Sequence, residues 1–359
     1  MTEIAEKFFA LLRYSIGEQD EAPVIPDEEW EPINNMAAEQ SLIGVICQGV
    51  VRLSEERPLP EDVRFAWLYQ KELIAEANKK INVASVKVAK RLRKSGFESC
   101  LLKGQGNALM YPEPLSRIPG DIDIWVSGDM KTVISLAKQT NPDARPVYHH
   151  IDFLPIGDIP VEVHYRPAFL NNMIYNSRLQ DWLRRNAKEQ YAHQVELPDG
   201  AGSVSVPTDA FNRIYQMAHI SKHIVQEGIG LRQVLDYYYL LKRGFTHDEA
   251  MSDQQLLRRF GLYEVAAAVM YILREVFGMS QQLLLVPVDE RRGRFLLNEI
   301  LLSGNFGYFD KRLENSHSQW SRNVQRLKRD ARFLLYFPSE CLWEPVFRWY
   351  HFFWRLRYH

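Results

Sequence analysis

The sequence predicts an α+β protein in which a small mixed β-sheet with its helices is flanked by helical regions on both sides. Three observations support this fold class. Apolar residues recur at helical spacing over residues 1–96, short alternating segments typical of strands lie within residues 97–207, and helical spacing returns over residues 208–359. A chain of 359 residues exceeds what one hydrophobic core usually serves, so we expect these ranges to form separate packed units.

The N-terminal region is expected to contain three helices. Apolar spacing predicts helices over Ile4–Ile16 and Ile33–Leu53, and a longer one over Glu61–Lys94. Basic residues crowd the last turn of the third helix and Gly96 follows it, which is typical of a helix C-terminus. We therefore interpret this basic cluster as a solvated helix end rather than as a nucleic-acid surface.

Two aspartates in the middle of the chain suggest a metal site. Asp121 and Asp123 are separated by one apolar residue and lead into Ile124, Trp125 and Val126, a run with strand character. Residues two apart on a strand share a face, so both carboxylates should project together while the isoleucines pack behind them. Because two close anions repel unless a cation lies between them, and Mg²⁺ binds carboxylates together with substrate phosphates, Mg²⁺ is the expected ion.

A glycine turn precedes these aspartates. Ser99–Leu102 reads as a short buried strand, and the chain then turns into a helix start through the four residues Lys103, Gly104, Gln105 and Gly106. Glycines permit close backbone approach to a ligand, and the N–H groups at a helix start favour phosphate. Lys103 adds a positive charge, so this turn is a candidate phosphate loop.

A later strand-like segment supplies a third acid. In Pro160–Tyr165, Glu162 and His164 share one face, and Glu162 would complete a carboxylate triad with the two aspartates. A preceding segment with His149 and His150 is expected to pair with it as a hairpin. We predict these two histidines to be ordinary sheet residues, because no partner residue gives them zinc spacing.

These segments resemble a nucleotidyltransferase family of bacterial proteins related to the polymerase-beta superfamily, in its uncharacterised branch with a lysine-glycine pair leading into the loop. The resemblance rests on Leu102-Lys103-Gly104, Arg117, Gly120–Ile124 and Val161–Tyr165, and extends from about Trp30 to Gly307. It implies a nucleotidyltransferase core and two-metal nucleotidyl transfer from an NTP. Asp121 and Asp123 would then bind both metals, and Glu162 would help to activate the acceptor hydroxyl.

The loop departs from the superfamily pattern, because Gly104-Gln105-Gly106 replaces the usual glycine-serine pair and lies farther from the aspartates. Gln105, Lys103 or Arg117 are the expected substitutes for the phosphate contact of that serine. The predicted nucleotide-binding set also includes His164 of the later strand. Similar helical-domain residues in the resembling family extend it to His219, His223 and Arg232. An interhelical polar network, with Arg232 and Asp236 as an i, i+4 pair, is the structural alternative for the helical residues.

The end of the chain is basic and aromatic, with ten Lys/Arg against four Asp/Glu over residues 311–359. The helical spacing of Val346, Trp349, Tyr350 and Phe353 predicts a helix that docks on the core of the protein through these residues. Nucleic-acid stacking, a membrane-surface helix and a partner-binding surface are the alternatives.

Composition narrows the remaining choices. A net charge of −1 offers no global attraction to nucleic acid or to an anionic membrane. The N-terminus lacks the apolar segment of a signal peptide, and no run of about 18 uncharged apolar residues predicts a membrane span. The three cysteines, Cys47, Cys100 and Cys341, are far apart and are expected to be reduced and buried in a cytoplasmic protein.

The predicted function is therefore metal-dependent transfer of an NMP from an NTP, with ATP as the expected donor, to a hydroxyl of a small molecule or a protein. Two Mg²⁺ ions are expected, and Mn²⁺ is the alternative ion. A catalytically inactive nucleotide-sensing or partner-binding module on the same fold is the first rival. A D-x-D glycosyltransferase is the second, which the lysine-glycine loop and Glu162 disfavour.

Overall fold

Four helices precede the sheet in the computed structural model, which describes residues 2–310, 312 and 319–358. They are α1 (Glu3–Ser15), α2 (Trp30–Glu39), α3 (Ile43–Glu56) and α4 (Glu61–Lys94). The expected single helix over Ile33–Leu53 is wrong, since the segment forms α2 and α3. Ser41 between them has φ +55°, a left-handed conformation that interrupts a right-handed helix.

The central sheet has four strands and two associated helices. In chain order these are β1 (Ser99–Leu102), α5 (Gly104–Ala108), β2 (Ile122–Val126), α6 (Met130–Thr140), β3 (His150–Asp152) and β4 (Val161–His164). The strand order is β1-β2-β4-β3, with β2 and β4 parallel and the two outer pairs antiparallel. The predicted mixed sheet and its hairpin are therefore confirmed.

A helix and a second hairpin follow the sheet and were not predicted. They are α7 (Met173–Ala192), β5 (Gln194–Leu197) and β6 (Gly202–Ser205). Only four side chains of α7 are buried, and two of them, Asn176 and Gln190, are polar. An apolar stripe this short gives little helical periodicity, which explains why the sequence did not indicate the helix.

Helices make up the rest of the described chain. They are α8 (Asp209–Gln226), α9 (Leu231–Lys242), α10 (His247–Arg259), α11 (Tyr263–Glu275), α12 (Glu290–Ser303), α13 (Gln319–Leu334) and α14 (Pro338–Tyr358). A tight turn at Asn305–Gly307 follows α12, as expected for this glycine-containing segment. Among the described residues, no helix combines the length and the apolar character needed to cross a membrane.

Two main hydrophobic cores hold these elements together. The larger joins the N-terminal helices α1 to α3 to the helices from α8 to α12, and the smaller packs α4 and α6 against the sheet. All three cysteines are buried free thiols, as expected. The sheet thus lies beside one continuous helical body, and its polar face is turned toward that body.

Helix α14 docks on the protein, but through a face other than the predicted one. Its buried aromatic side chains are Phe347 and Trp354, which join Tyr148 and Phe169 in a third apolar cluster. The side chains expected to dock are exposed: Val346, Trp349, Tyr350 and Phe353. Helical spacing defines a face of a helix, but it does not say which of two apolar faces meets the core.

Candidate active site

The register of the sheet sets two acids side by side. Parallel pairing of β2 with β4 places Asp123 directly beside Glu162, and antiparallel pairing of β1 with β2 places Leu102 beside Asp123. Since residues two apart share a strand face, Asp121 and His164 project to the same side as this pair. Lys103 follows Leu102 immediately. The four polar residues and the lysine therefore gather on one face of the sheet, at its two central strands.

Asp123 is buried and both of its oxygens have protein partners. Lys103 Nζ lies 2.8 Å from Oδ2, and His164 Nε2 donates to Oδ1 at 2.8 Å. Burial alone would raise the pKa of Asp123, but Lys103 and His164 outweigh it and lower the pKa to about 2. The carboxylate is ionised at neutral pH, and Lys103 and His164 balance its charge.

The carboxylate of Asp121, unlike that of Asp123, has no cation in direct contact among the described residues. Its side chain opens to the cleft, and it forms no ion pair with another described residue. The negative charge of Asp123, with partial burial, raises the pKa of Asp121 to about 6. A divalent cation would relieve this repulsion, because an opposite charge between two carboxylates favours their ionised forms.

Glu162 is held by two histidines. Its Oε2 lies 3.0 Å from His150 Nδ1 and 3.4 Å from His164 Nε2. Burial opposes ionisation, but these hydrogen bonds prevail and lower the pKa of Glu162. For His164, burial is likewise outweighed by Asp123 and Glu162, which raise its pKa.

The donor set fits a divalent metal. Asp123, Glu162 and His164 offer ligand atoms within 4.8 Å of one another, and Asp121 stands beside them on the same face. Carboxylate oxygens completed by substrate phosphates suit Mg²⁺ and Mn²⁺.

The histidines of the hairpin, predicted to be ordinary sheet residues, lie close to other histidines. His149, His150 and His164 place ring nitrogens within 4.8 Å of one another. His149 Nε2 lies 3.1 Å from His150 Nδ1 and 3.2 Å from Lys222 Nζ. His149 and His150 are adjacent in sequence, and His164 reaches them only through strand pairing. The spacing rules for zinc ligands therefore do not reveal this cluster.

The glycine turn is tight and its lysine is conformationally unusual. Lys103 has φ +48°, a region that non-glycine residues rarely occupy, and Gly104 has φ +39°. The contact of Lys103 with Asp123 accompanies this conformation. A Cβ on Gly106 would lie 3.2 Å from Val206, so Gly106 permits close packing of α5 against the β6 end.

The side chain of Gln105, predicted to contact phosphate, points to α4. Its Nε2 donates to Asn78 Oδ1 at 3.1 Å and to Asn82 Oδ1 at 2.5 Å, and it lines neither of the two cavities at the carboxylates. Asn78 in turn donates to the carbonyl oxygens of Leu115 and Arg117. Because α5 is helical at Gln105, the side chain of this residue points to α4 and not to the cavities.

Arg117 forms a buried, bidentate ion pair with Asp236 of α9. Both of its nitrogen-to-oxygen distances are 2.8 Å, and Tyr111 and Asn107 also donate to Asp236. The expected pairing of Arg232 with Asp236 on one helix is therefore wrong. Asp236 is already satisfied by Arg117, whose planar fork matches a carboxylate.

Arg232 is instead a buried cation without a carboxylate in hydrogen-bonding contact. Its Nη1 donates to the Ile118 carbonyl at 2.9 Å, and its Nε has no hydrogen-bond partner. Burial, with the nearby charge of Arg117, lowers the pKa of Arg232 to about 10. The side chain lines a small cavity of about 120 Å³ with Lys103, Gly104 and Asp121.

Helix α8 supplies the opposite wall. His219 lines both cavities, and the rings of His219 and His223 lie 4.3 Å apart. Burial lowers the pKa of His223 to about 4, so this imidazole is neutral although it contacts Glu227. Lys222 was not predicted from the sequence as a site residue. It lines the larger cleft, and burial lowers its pKa to about 8. Its position three residues after His219 was the available signal.

The larger cleft encloses about 810 Å³ and meets the small cavity at Lys103, Asp121 and Asp123. Its far walls come from α13 and α14, through Arg329, Phe347 and other residues. Pockets of this volume accommodate small molecules and nucleotides. The carboxylates thus lie at the junction of two cavities rather than at the bottom of one.

Comparisons with known proteins identify one family and one similar solved structure. A sequence profile of the uncharacterised nucleotidyltransferase family matches residues 26–278, a range that includes the carboxylates, the glycine turn and α8. Among solved structures, the chain is similar to an antigenic nucleotidyltransferase-like protein from Paracoccidioides brasiliensis, with 15% identity and a TM-score of 0.33. That match covers 58% of this chain and 94% of the other. No curated protein sequence matches.

The profile match begins close to the expected Trp30 and ends before Gly307. It supports the resemblance drawn from the glycine turn and the paired aspartates, and it gives no support to a glycosyltransferase. Because the match spans well over half of the sequence, this chain belongs to the uncharacterised nucleotidyltransferase family.

Proposed function

We propose that the protein transfers an NMP from an NTP to a hydroxyl acceptor with release of pyrophosphate, and that the reaction depends on Mg²⁺ or Mn²⁺. The observation that carries this proposal is the row formed by Asp121, Asp123 and Glu162, in which the two aspartates line both cavities and Glu162 lines the larger one. An acid row between two compartments suits a reaction that joins two substrates at one phosphorus atom.

The small cavity is the proposed site for the triphosphate. Arg232 and Lys103 face it, and they are a buried and a half-buried cation, respectively. A buried guanidinium with an unpaired Nε is costly unless an anion binds to it, so the β- and γ-phosphates are its natural ligands. His219 and Phe306 lie where the two cavities meet and would contact the rest of the nucleotide.

Asp121, Asp123 and Glu162 would hold the metal ions, which supply charge stabilisation to the phosphates and to the attacking oxygen. In the reaction, an oxygen of the acceptor forms a bond to the α-phosphorus, and the bond from that phosphorus to the pyrophosphate oxygen breaks. The hydroxyl proton leaves toward Glu162, whose neighbour His150 lies 3.0 Å away. Lys103 and Arg232 offset the charge that develops on pyrophosphate.

The large cleft is the proposed acceptor site, with room for a small molecule between α8 and the C-terminal helices. We take a small-molecule hydroxyl as the acceptor, because the cleft walls come from several elements of the same chain. ATP remains the proposed donor.

A nucleotide sensor without catalytic activity is the second candidate, and one observation favours it. Lys103 and His164 already occupy both oxygens of Asp123, so protein cations take positions next to the acid that metal ions would need. In an enzyme, metal ions would share these oxygens with Lys103 and His164 or displace one of the two. In a sensor, Lys103 and His164 would keep their contacts with Asp123.

Calorimetric titration with ATP, GTP, CTP and UTP, each with and without Mg²⁺, separates these functions. We expect binding that requires Mg²⁺ in the wild type and is lost in Asp121→Asn. Asp158→Asn is the matched control, because it removes the same charge from an exposed turn between β3 and β4. Metal-independent binding that Asp121→Asn leaves intact would favour the sensor, and no binding of any NTP would contradict both candidates.

A further inference from the structure

The outer face of α14 carries a continuous apolar stripe that touches no other part of the described protein core. Its central members are spaced by four and three residues in turn, so they lie on one side of the helix. They are Leu342, Val346, Trp349, Phe353 and Leu356, each between 51% and 68% exposed. Tyr350 and Phe352 are also exposed and widen the stripe on its two sides. Exposed apolar surface this extensive usually marks a binding surface.

The opposite face of α14 is firmly attached, so the stripe cannot turn inward. Phe347 stacks on Phe169, with ring centroids 5.0 Å apart. Glu340 is buried and accepts hydrogen bonds from the backbone N–H groups of Asn171, at 2.6 Å, and Asn172, at 3.3 Å. Among the described residues, α14 is therefore attached through the face opposite the stripe.

The C-terminal segment that contains the stripe has an excess of basic residues. Residues 311–359 contain ten Lys/Arg and four Asp/Glu, which gives +6, whereas the remaining residues contain 34 Lys/Arg and 41 Asp/Glu, which gives −7. Arg355 and Arg357 are exposed in the last turn of α14, and in the described part of the chain neither forms an ion pair. The apolar stripe thus ends beside uncompensated positive charge.

We propose that the outer face of α14 binds an anionic lipid surface. Trp, Phe and Leu on one face with arginine beside them is the composition of helices that lie in the membrane interface. Tryptophan and tyrosine favour the headgroup region, and arginines near an anionic surface add electrostatic attraction. This proposal is independent of the catalytic activity of the carboxylate row.

A second copy of the chain fits the stripe less well. Pairing of two α14 helices would require acids to face Arg355 and Arg357, but Glu340 is buried and Glu344 is bound by Arg348 at 2.6 Å. Nucleic acid fits less well too, because Leu342, Val346 and Leu356 offer neither stacking nor phosphate contacts.

Binding through this face has a geometric consequence for the site. The inner edge of α14 lines the large cleft through Phe347, Arg348 and His351. If the outer face of α14 binds lipid, the large cleft lies close to the membrane surface.

Co-sedimentation of the full-length protein with vesicles tests the proposal. Vesicles of phosphatidylcholine alone are compared with an equimolar mixture of phosphatidylcholine and phosphatidylglycerol. We expect binding to the mixed vesicles, and a loss of at least about tenfold in the partition coefficient for Trp349→Ser/Phe353→Ser/Leu356→Ser. Arg355→Gln/Arg357→Gln should weaken binding to mixed vesicles by roughly fivefold for each arginine.

A second exposed apolar stripe provides the matched control. Phe65, Tyr69 and Leu73 of α4 are 67%, 67% and 53% exposed, and their triple replacement by Ser should leave vesicle binding unchanged. Thermal unfolding and NTP titration of every variant show that the fold and the nucleotide site are intact. Vesicle binding that survives the α14 substitutions would overturn the proposal. So would a wild type that ignores vesicles and forms a dimer, seen by light scattering, that the α14 substitutions abolish.

Discussion

Asp123 and Asp236 are both buried carboxylates that face cations, yet their surroundings differ. Asp236 accepts four hydrogen bonds, two from Arg117 and one each from Tyr111 and Asn107. Asp123 accepts one contact from Lys103 and one from His164, and a second, unbalanced acid stands two residues before it. Asp236 borders only the small cavity, whereas Asp123 lies where both cavities meet.

This difference indicates that the Asp236 cluster stabilises the fold, whereas the Asp123 cluster is suited to catalysis. Burial opposes ionisation of Asp236, but Arg117 outweighs it and lowers its pKa, and the planar fork of that arginine leaves no oxygen open. Lysine and imidazole are single-point partners, which can be displaced by a cation or move with a substrate. Residue types alone do not distinguish the two clusters, but the saturation of their hydrogen bonds does.

The largest expected effect comes from Asp121→Asn. Removal of this unbalanced acid should lower NMP transfer at least about a thousandfold, because metal binding supplies several kcal/mol of charge stabilisation in such reactions. Stability should stay the same or rise slightly, since the substitution relieves repulsion with Asp123. Release of labelled pyrophosphate from γ-labelled NTP and thermal unfolding measure the two effects. Near-normal turnover would exclude Asp121 from catalysis, and Asp158→Asn serves as the control.

Asp236→Ala should mainly destabilise the protein. It leaves the buried guanidinium of Arg117 unpaired, which costs about 3–5 kcal/mol in the free energy of unfolding. Urea unfolding measures this loss. The double variant Arg117→Met/Asp236→Leu should recover much of it, because neither charge is then buried. If the single variant is as stable as the wild type, the proposed structural role of this cluster is wrong.

Metal affinity should depend on pH through Asp121. The pKa of this acid is raised to about 6, so it is ionised above pH 6 and binds protons as the pH falls through 6. A metal ion needs the ionised form, so affinity for Mn²⁺ should fall about tenfold for each pH unit below 6. Calorimetry at several pH values measures this slope. Asp121→Asn should flatten the slope, and an unchanged slope in that variant would assign the titration to another group.

Gln105→Ala should have the smallest effect. It leaves the side-chain oxygens of Asn78 and Asn82 without this donor, which costs about 1–3 kcal/mol of stability. Affinity for NTP should not change, because the side chain faces α4. A large loss of NTP affinity in a folded variant would instead support the phosphate contact that the sequence suggested.

Local pattern was sufficient for some features of the site. The alternation of β2 and β4 predicted which faces Asp121, Asp123, Glu162 and His164 would share, because strand geometry has a period of two. Glycine spacing likewise predicted the turn after β1. The same kind of evidence was insufficient for α7, where polar residues occupy buried positions, and for α14, where both faces are apolar.

The sequence by itself determined the fold class, the strand and helix periods at the site and the family of the chain. Only the tertiary structure decided the partners of the charged residues. Arg117 lies 119 residues from Asp236, and Lys222 lies 73 residues from His149. Local periodicity orients a side chain about its own element, but the energy of an ion pair depends on distance and on burial, which only the packing of distant elements sets.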